Sequence, residues 1–223
     1  MYELFITNKN YTTWALRPWL LMRERDIAFR ERLVPFGSRD FRAFSPTGRV
    51  PALHDGDLVV WESLAIVEYL AERHAGVWPI DPGARAWARS AASEMHAGFA
   101  TLRSRCTNSC GLRIRLHDFP DALAADVARI AELWGEGLAR FGGPWLAGDS
   151  FTAVDAFFAP VAFRAQTYSL PFSGAAADYV ERLLARPAMR EWYAAALVEA
   201  ERDPAHEADA GATGTWIEDL RAR

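Results

Sequence analysis

The spacing of apolar and polar positions changes several times in the first 80 residues. "YELFIT" is a short aromatic and β-branched run that predicts a strand. "NKNYTT" supplies turn and cap residues, and "WALRPWLLMRERD" then carries apolar positions at helical spacing. Pro18 falls near the first turn of that helix, where a missing N–H costs least. "FRERLVPF" predicts a second strand, and "GSRDFRAFSPTG" a Gly- and Pro-punctuated connection with room for a short helix. "VPALHDGDLVVWE" reads as two strands joined by the hairpin signal "HDGD", and "SLAIVEYLAERH" as a helix. Strand, helix, strand, loop, hairpin and helix in that order suit a compact α/β domain, placed here at residues 1–78.

Residues 79–86 have the Gly/Pro character of a linker, and the pattern then turns helical. "ARAWARSAASEMHAGFATLRSR", "DALAADVARIAELWGEGLARFG", "AVDAFFAPVAFRAQTY" and "AAADYVERLLARPAMREWYAAALVEA" all show helical spacing, with no strand pattern among them. The expected fold class is therefore α/β plus all-α, the helical part covering 87–223. Thr152 followed three residues later by Asp155 predicts a capping box. The last stretch, from "ERDPAHEADAG", predicts a partly mobile tail with a short helix near Trp216.

Composition narrows the function classes. At 51% hydrophobic and 24% charged residues, the 223-residue chain has an ordinary globular balance. A formal charge of −4 supplies no broad basic field, which argues against nucleic acid as the main partner. The start of the chain lacks a basic stretch followed by an apolar run, and "VDAFFAPVAF" is too short to cross a bilayer, so neither secretion nor membrane insertion is expected. Two cysteines form no disulfide framework and fit a reduced, cytoplasmic setting. Cys106 and Cys110 have no third and fourth ligand nearby in sequence, so no metal site is expected.

Three stretches carry candidate chemistry. In "GRVPALH", Pro51 interrupts a strand pattern. Either Val50–Pro51 is a cis bond in a turn that frees the Val50 backbone for an extended ligand, or Pro51 opens an edge strand. In "ESLAIVEYL", Glu62 and Ser63 sit where a strand hands over to a helix, whose N–H groups favour an anion. Ser63 beside a carboxylate and Glu62 beside an ammonium group would together hold an amino acid's α-carbon; the plainer reading is a serine N-cap preceded by an acid. In "NKNYTTW", Tyr11, Thr12 and Thr13 bring three hydroxyls to a helix N-terminus, where a thiolate would gain hydrogen bonds and a favourable dipole.

Together these stretches, with "GDSFTAVDAF" later in the chain, resemble the glutathione S-transferase superfamily, most nearly its serine-type bacterial and zeta-like members. The resemblance implies a thioredoxin-like glutathione-binding domain, an all-helical second domain, glutathione as co-substrate and a homodimer. It implies that Val50, beside cis-Pro51, pairs its backbone with the cysteinyl part of glutathione, that Glu62 and Ser63 hold the γ-glutamyl end, and that Arg49 lies near the tripeptide. It puts Thr12 at the catalytic serine, with Thr13 or Tyr11 as the alternative hydroxyl. Threonine instead of serine, and the absence of cysteine from the turn, depart from the zeta and cysteine-type patterns. His96, Phe99 and Arg103 lie within helical reach of one another and are candidate second-substrate residues, against a reading as core histidine and solvated arginine. Arg103, Arg105, Arg113 and Arg115 form a local basic cluster. The expected activity is conjugation of the glutathione thiolate to a small electrophile. The alternatives are a zeta-type glutathione-dependent isomerase or lyase, and a non-catalytic glutathione-binding scaffold.

Overall fold

The computed structural model describes residues 1–38 and 40–222. Its first part follows the predicted order: β1 (Tyr2–Ile6), α1 (Leu16–Glu24), β2 (Phe29–Leu33), a single 3-10 turn at Phe41–Ala43, β3 (Ala52–Asp55), β4 (Leu58–Trp61) and α2 (Ser63–Ala71). The four strands form one mixed sheet in the order β2-β1-β3-β4. β1 runs parallel to β2 and antiparallel to β3, and β3 turns back on β4. Gly56, at φ 60°, supplies the left-handed residue that the two-residue β3–β4 turn needs. The Val50–Pro51 bond is cis and immediately precedes β3. Strand pairing pairs Trp61 with Ala52, so Glu62 at the end of β4 comes to lie beside Pro51. Two motifs eleven residues apart in sequence are thereby neighbours in the fold.

The second part is helical: α3 (Pro82–Ala97), α4 (Ala100–Arg105), α5 (Asp121–Phe141), α6 (Ala153–Tyr168), α7 (Ala175–Leu184), α8 (Pro187–Leu197) and α9 (Pro204–Thr213). α3 begins at Pro82, capped by Asp81 Oδ1 accepting from Ala84 N at 2.7 Å, so residues 82–86 belong to a helix and not to the expected linker. Two further features depart from the pattern reading. β5 (Leu112–Leu116) and β6 (Gly214–Asp219) pair antiparallel into a ribbon that joins the helices, so the segment around Trp216 is strand and not helix. The helix read through "SEMHAGFATLRSR" breaks at Gly98, and Phe99 adopts a left-handed conformation at φ 59° before α4 starts.

Every residue of α6 except Gln166 is buried, which makes it the central helix of the core, apolar nearly all round as its sequence is. α1 packs along it, so the two parts share one continuous apolar core. The predicted capping box is present at its start. Asp155, wholly buried, accepts from Thr152 N at 2.9 Å, from Leu146 N at 3.0 Å and from the Tyr179 hydroxyl at 2.7 Å. One carboxylate thus fixes the α6 N-terminus, the preceding loop and α7. Burial pushes its carboxyl pKa up to about 6, against hydrogen bonds that favour the ionised form. Asp155→Ala would leave three buried donors unpartnered, a loss of about 3 kcal/mol. In a domain of this size that lowers the melting temperature by about 6–12 °C, read by thermal unfolding followed by circular dichroism.

Candidate active site

The β1–α1 turn is the floor of the site, and it is polar yet buried: Thr7, Asn8, Lys9, Asn10 and Thr12 are all below a tenth exposed. A buried turn must have its backbone groups paired, and here the helical part supplies the partners. Glu199 accepts from Lys9 N at 2.6 Å and from Asn10 N at 3.1 Å. Trp192 Nε1 donates to Lys9 O at 3.0 Å, and Cys110 N and Asn108 Nδ2 each donate to Asn10 O at 3.1 Å. Within the turn, Tyr11 N and Thr12 N both donate to Asn8 O at 3.1 Å. Lys9 Nζ pairs with Glu31 at 2.6 Å.

Above this floor lies a cavity of about 460 Å3. Tyr11, Thr12, Thr13 and Trp14 form one side, and Gly48, Arg49 and Val50 another. Arg103, Thr107, Asn108 and Arg164 close it from the helical part, and His206 and Asp209 of α9 from above. Val50 stands two residues before Ala52, where the β1–β3 ladder begins, and it lines the cavity outside that pairing. Glu62 and Ser63 adjoin this wall without lining the cavity: Glu62 is exposed at φ 73°, and Ser63 is fully buried with a hydroxyl that has no partner. A non-glycine residue at positive φ costs about 1–3 kcal/mol and persists where its surroundings demand it.

The three hydroxyls of the turn differ in availability. The Tyr11 hydroxyl donates to Glu207 Oε1 at 2.5 Å and also meets Arg221 Nη1 at 3.2 Å. Burial, then the Glu207 contact, pushes its pKa up to about 12. It is therefore tied to the C-terminal segment. Among the described residues the Thr12 and Thr13 hydroxyls have no such ties, and both residues line the cavity.

The sequence-predicted second-substrate residues separate. Arg103 lines the cavity, whereas Phe99 is buried in the core at the break between α3 and α4 and does not. His96 is half-buried edge-on to Trp14, ring centroids 5.2 Å apart, and burial lowers its pKa. The local cluster of four arginines also disperses. Arg105 pairs with Asp118, Arg113 donates to the Leu112 carbonyl at 2.8 Å, and Arg115 is exposed. What the sequence reading missed are Arg17 and Arg164, buried cations that line the cavity beside Arg103. Cys106 and Cys110 are buried, which pushes their thiols up to about 11 and about 12 and makes them poor nucleophiles.

Residues 11–73 match the family model of the glutathione S-transferase N-terminal domain, and residues 115–195 that of its C-terminal domain. The chain belongs to the glutathione S-transferase superfamily. Glutathione S-transferase 3 of Zea mays is 32% identical over 173 residues, 70% of this chain and 75% of that protein. A stringent starvation protein A homolog of Pasteurella multocida is 26% identical over 171 residues, 75% of this chain and 77% of its own. Among solved structures, a glutathione transferase homolog from Burkholderia BGR1 with bound glutathione superposes with a TM-score of 0.66 at 24% identity, covering 87% of this chain and 97% of that one. The thioredoxin-like domain followed by a helical domain is the fold of this superfamily, and no helix among the described residues is long and apolar enough to cross a membrane.

The Tyr11 contact ties this turn to the last helix across 196 positions of sequence. Tyr11→Phe removes a hydrogen bond to a charged group, about 1.5–3 kcal/mol. Amide exchange in α9 and β6 is then expected to quicken about tenfold or more, measured by hydrogen-exchange mass spectrometry, with α3 and α5 unaffected.

Proposed function

We propose that this protein is a glutathione transferase that binds glutathione along Val50, Glu62 and Ser63 and joins its sulfur to a small electrophile. The observation that carries this reading is the pair of hydroxyls, Thr12 and Thr13, in the turn that leads into α1 and lining the same cavity as Val50. The bound glutathione of the Burkholderia BGR1 homolog supports the choice of ligand.

In this reading the γ-glutamyl carboxylate takes the Ser63 hydroxyl and the N–H groups that open α2, and its ammonium group takes Glu62. Ser63's unpartnered hydroxyl and the strained Glu62 backbone are what such a ligand would use. Arg49, exposed on the rim, adds a positive charge near the tripeptide. The cysteinyl thiol then lies over the α1 N-terminus. It loses its proton to solvent, and the thiolate accepts a hydrogen bond from the Thr12 hydroxyl in the positive end of the helix dipole. The sulfur attacks the electrophilic carbon, the carbon–sulfur bond forms, and the leaving group departs with its electron pair. Two such active sites would be present in a homodimer.

A hydrogen bond from a neutral hydroxyl to a thiolate is charge-assisted and worth about 1.5–3 kcal/mol, or about 1–2 pKa units of the thiol. Thr12→Val is therefore expected to raise the pKa of the bound glutathione thiol by about 1–2 units, read from the thiolate absorbance as pH is varied. It also lowers kcat/KM with a generic aryl halide at neutral pH by about tenfold or more. An unchanged thiol pKa in Thr12→Val, with a raised one in Thr13→Val, would move the role to Thr13. Glutathione binding without turnover on any of a broad electrophile panel would identify a binding protein instead of an enzyme.

A further inference from the structure

The cavity's charge balance is unlike that of the chain. The protein carries a formal charge of −4, yet among the described residues four arginines and one carboxylate, Asp209, line this cavity. Arg49 is on the rim, but Arg17, Arg103 and Arg164 converge from three helices onto the inner wall. Among the described residues none of these three forms a salt bridge.

Arg17 is the extreme case. It is 2% exposed, and its Nε and Nη1 have no hydrogen-bond partner among the described residues. Its guanidinium carbon stands 4.3 Å from the Trp14 ring centre and 4.8 Å from that of Phe157. Cation–π contacts of that kind recover a part of the lost hydration and leave the in-plane N–H donors unused. Arg103 also stacks on Trp14, at 4.7 Å, donates to the carbonyls of Met95 and His96, and has an unpartnered Nε. Arg164, 5% exposed, donates from Nε to Cys106 O at 2.7 Å. Burial is the main force lowering the pKa of all three, and the fields of Arg103 and Arg164 add to it at Arg17. Glu62 is the carboxylate whose field reaches Arg17, and in the reading above it is taken by the ammonium group of glutathione. Asp126, which acts on Arg103, already accepts from Leu102 N at 2.8 Å.

An unpaired buried guanidinium is costly to keep, and its fork of donors fits the two oxygens of a carboxylate. We propose that the helical wall of the cavity is an oxyanion site built by Arg17, Arg103 and Arg164, and that the electrophile joined to glutathione carries a carboxylate or a similar oxyanion. The identity of the anion as the second reactant rests on the glutathione reading; the anion site itself does not.

Two aryl halides of nearly the same shape, 4-chloro-3-nitrobenzoate and its methyl ester, separate charge from bulk. Isothermal titration without glutathione is expected to show the acid binding about tenfold or more tightly than the ester. Arg17→Gln should bring that ratio towards one, and Arg17→Lys should keep part of it. Circular dichroism checks the fold of each variant, and Arg103→Gln, at a half-buried position, gives the same test if Arg17→Gln does not fold. Equal binding of acid and ester by the unaltered protein overturns the proposal, as does an unchanged ratio in the folded variants. If acid and ester bind alike while Arg17→Gln raises the thiol pKa of bound glutathione, the arginines serve the thiolate and the proposal is likewise overturned. Acid preference in a protein that fails to bind glutathione would instead sustain the anion site and remove the glutathione reading.

Discussion

The site depends on one constraint: a polar turn, Thr7 to Thr12, is buried between the sheet and the helices. Backbone groups removed from water need partners, and the sheet has none left to give at the end of β1. Glu199, Trp192, Asn108 and Cys110 provide them from the helical part, most at 2.6–3.1 Å. The conformation of the turn, and with it the direction of the Thr12 and Thr13 hydroxyls, is consequently a property of both parts of the chain together. Burial of Glu199 raises its pKa, while the two backbone N–H groups it holds oppose that shift. The arrangement ties the geometry of the Thr12 and Thr13 hydroxyls to the packing of α1 against α6, since a shift of either part would leave several buried groups unpaired.

How much of this was legible in the sequence follows from how local each feature is. The β/α order of the first part was readable because its signals, "YELFIT", "HDGD" and "SLAIVEYL", act within a few residues of one another. The proximity of Glu62 to Pro51 follows from a hairpin of short span, whereas the cis bond at Val50–Pro51 was one of two readings that the residues themselves left open. The β5–β6 ribbon was harder. "LRIRL" does alternate, burying Leu112 and Ile114 and turning Arg115 outward, but it is short and its partner strand begins at Gly214. Alternation over five residues, set among long helical patterns, is a weak signal until the partner is known.

The buried arginines were illegible for another reason. Arg17 and Arg164 each stand as single charges among mainly apolar helix positions, and most arginines are solvated. Nothing in either segment says that α1, α4 and α6 turn these positions towards the same space. Sequence proximity grouped Arg103 with Arg105, Arg113 and Arg115, whereas in the fold Arg103 keeps company with residues 86 positions before it and 61 after it. The Tyr11 hydroxyl misled in the same way: its partner Glu207 is supplied by a segment whose composition suggested mobility. That segment is held by Arg221, which pairs with both Glu207 and Asp219, so α9 and β6 are fastened where a loose tail was expected.

These long-range features combine into a single electrostatic design. His206 and Asp209 of α9 border the cavity, the rings of Trp14 and Phe157 pack on the Arg17 guanidinium, and Arg17 and Arg164 are 2% and 5% exposed. In such surroundings a charge interacts more strongly than at the surface, for attraction and for the cost of isolation alike. A cluster of like charges kept there with no salt bridge among the described residues opposes folding, and core apolar contacts along α6 must offset it. Replacing the arginines by apolar residues of similar volume would relieve that opposition, which is the usual sign of residues retained for a ligand and not for the fold. The turn pinned by Glu199 and the three arginines therefore border one cavity, the turn satisfied within the protein and Arg17 left with buried donors for a ligand to satisfy from outside it.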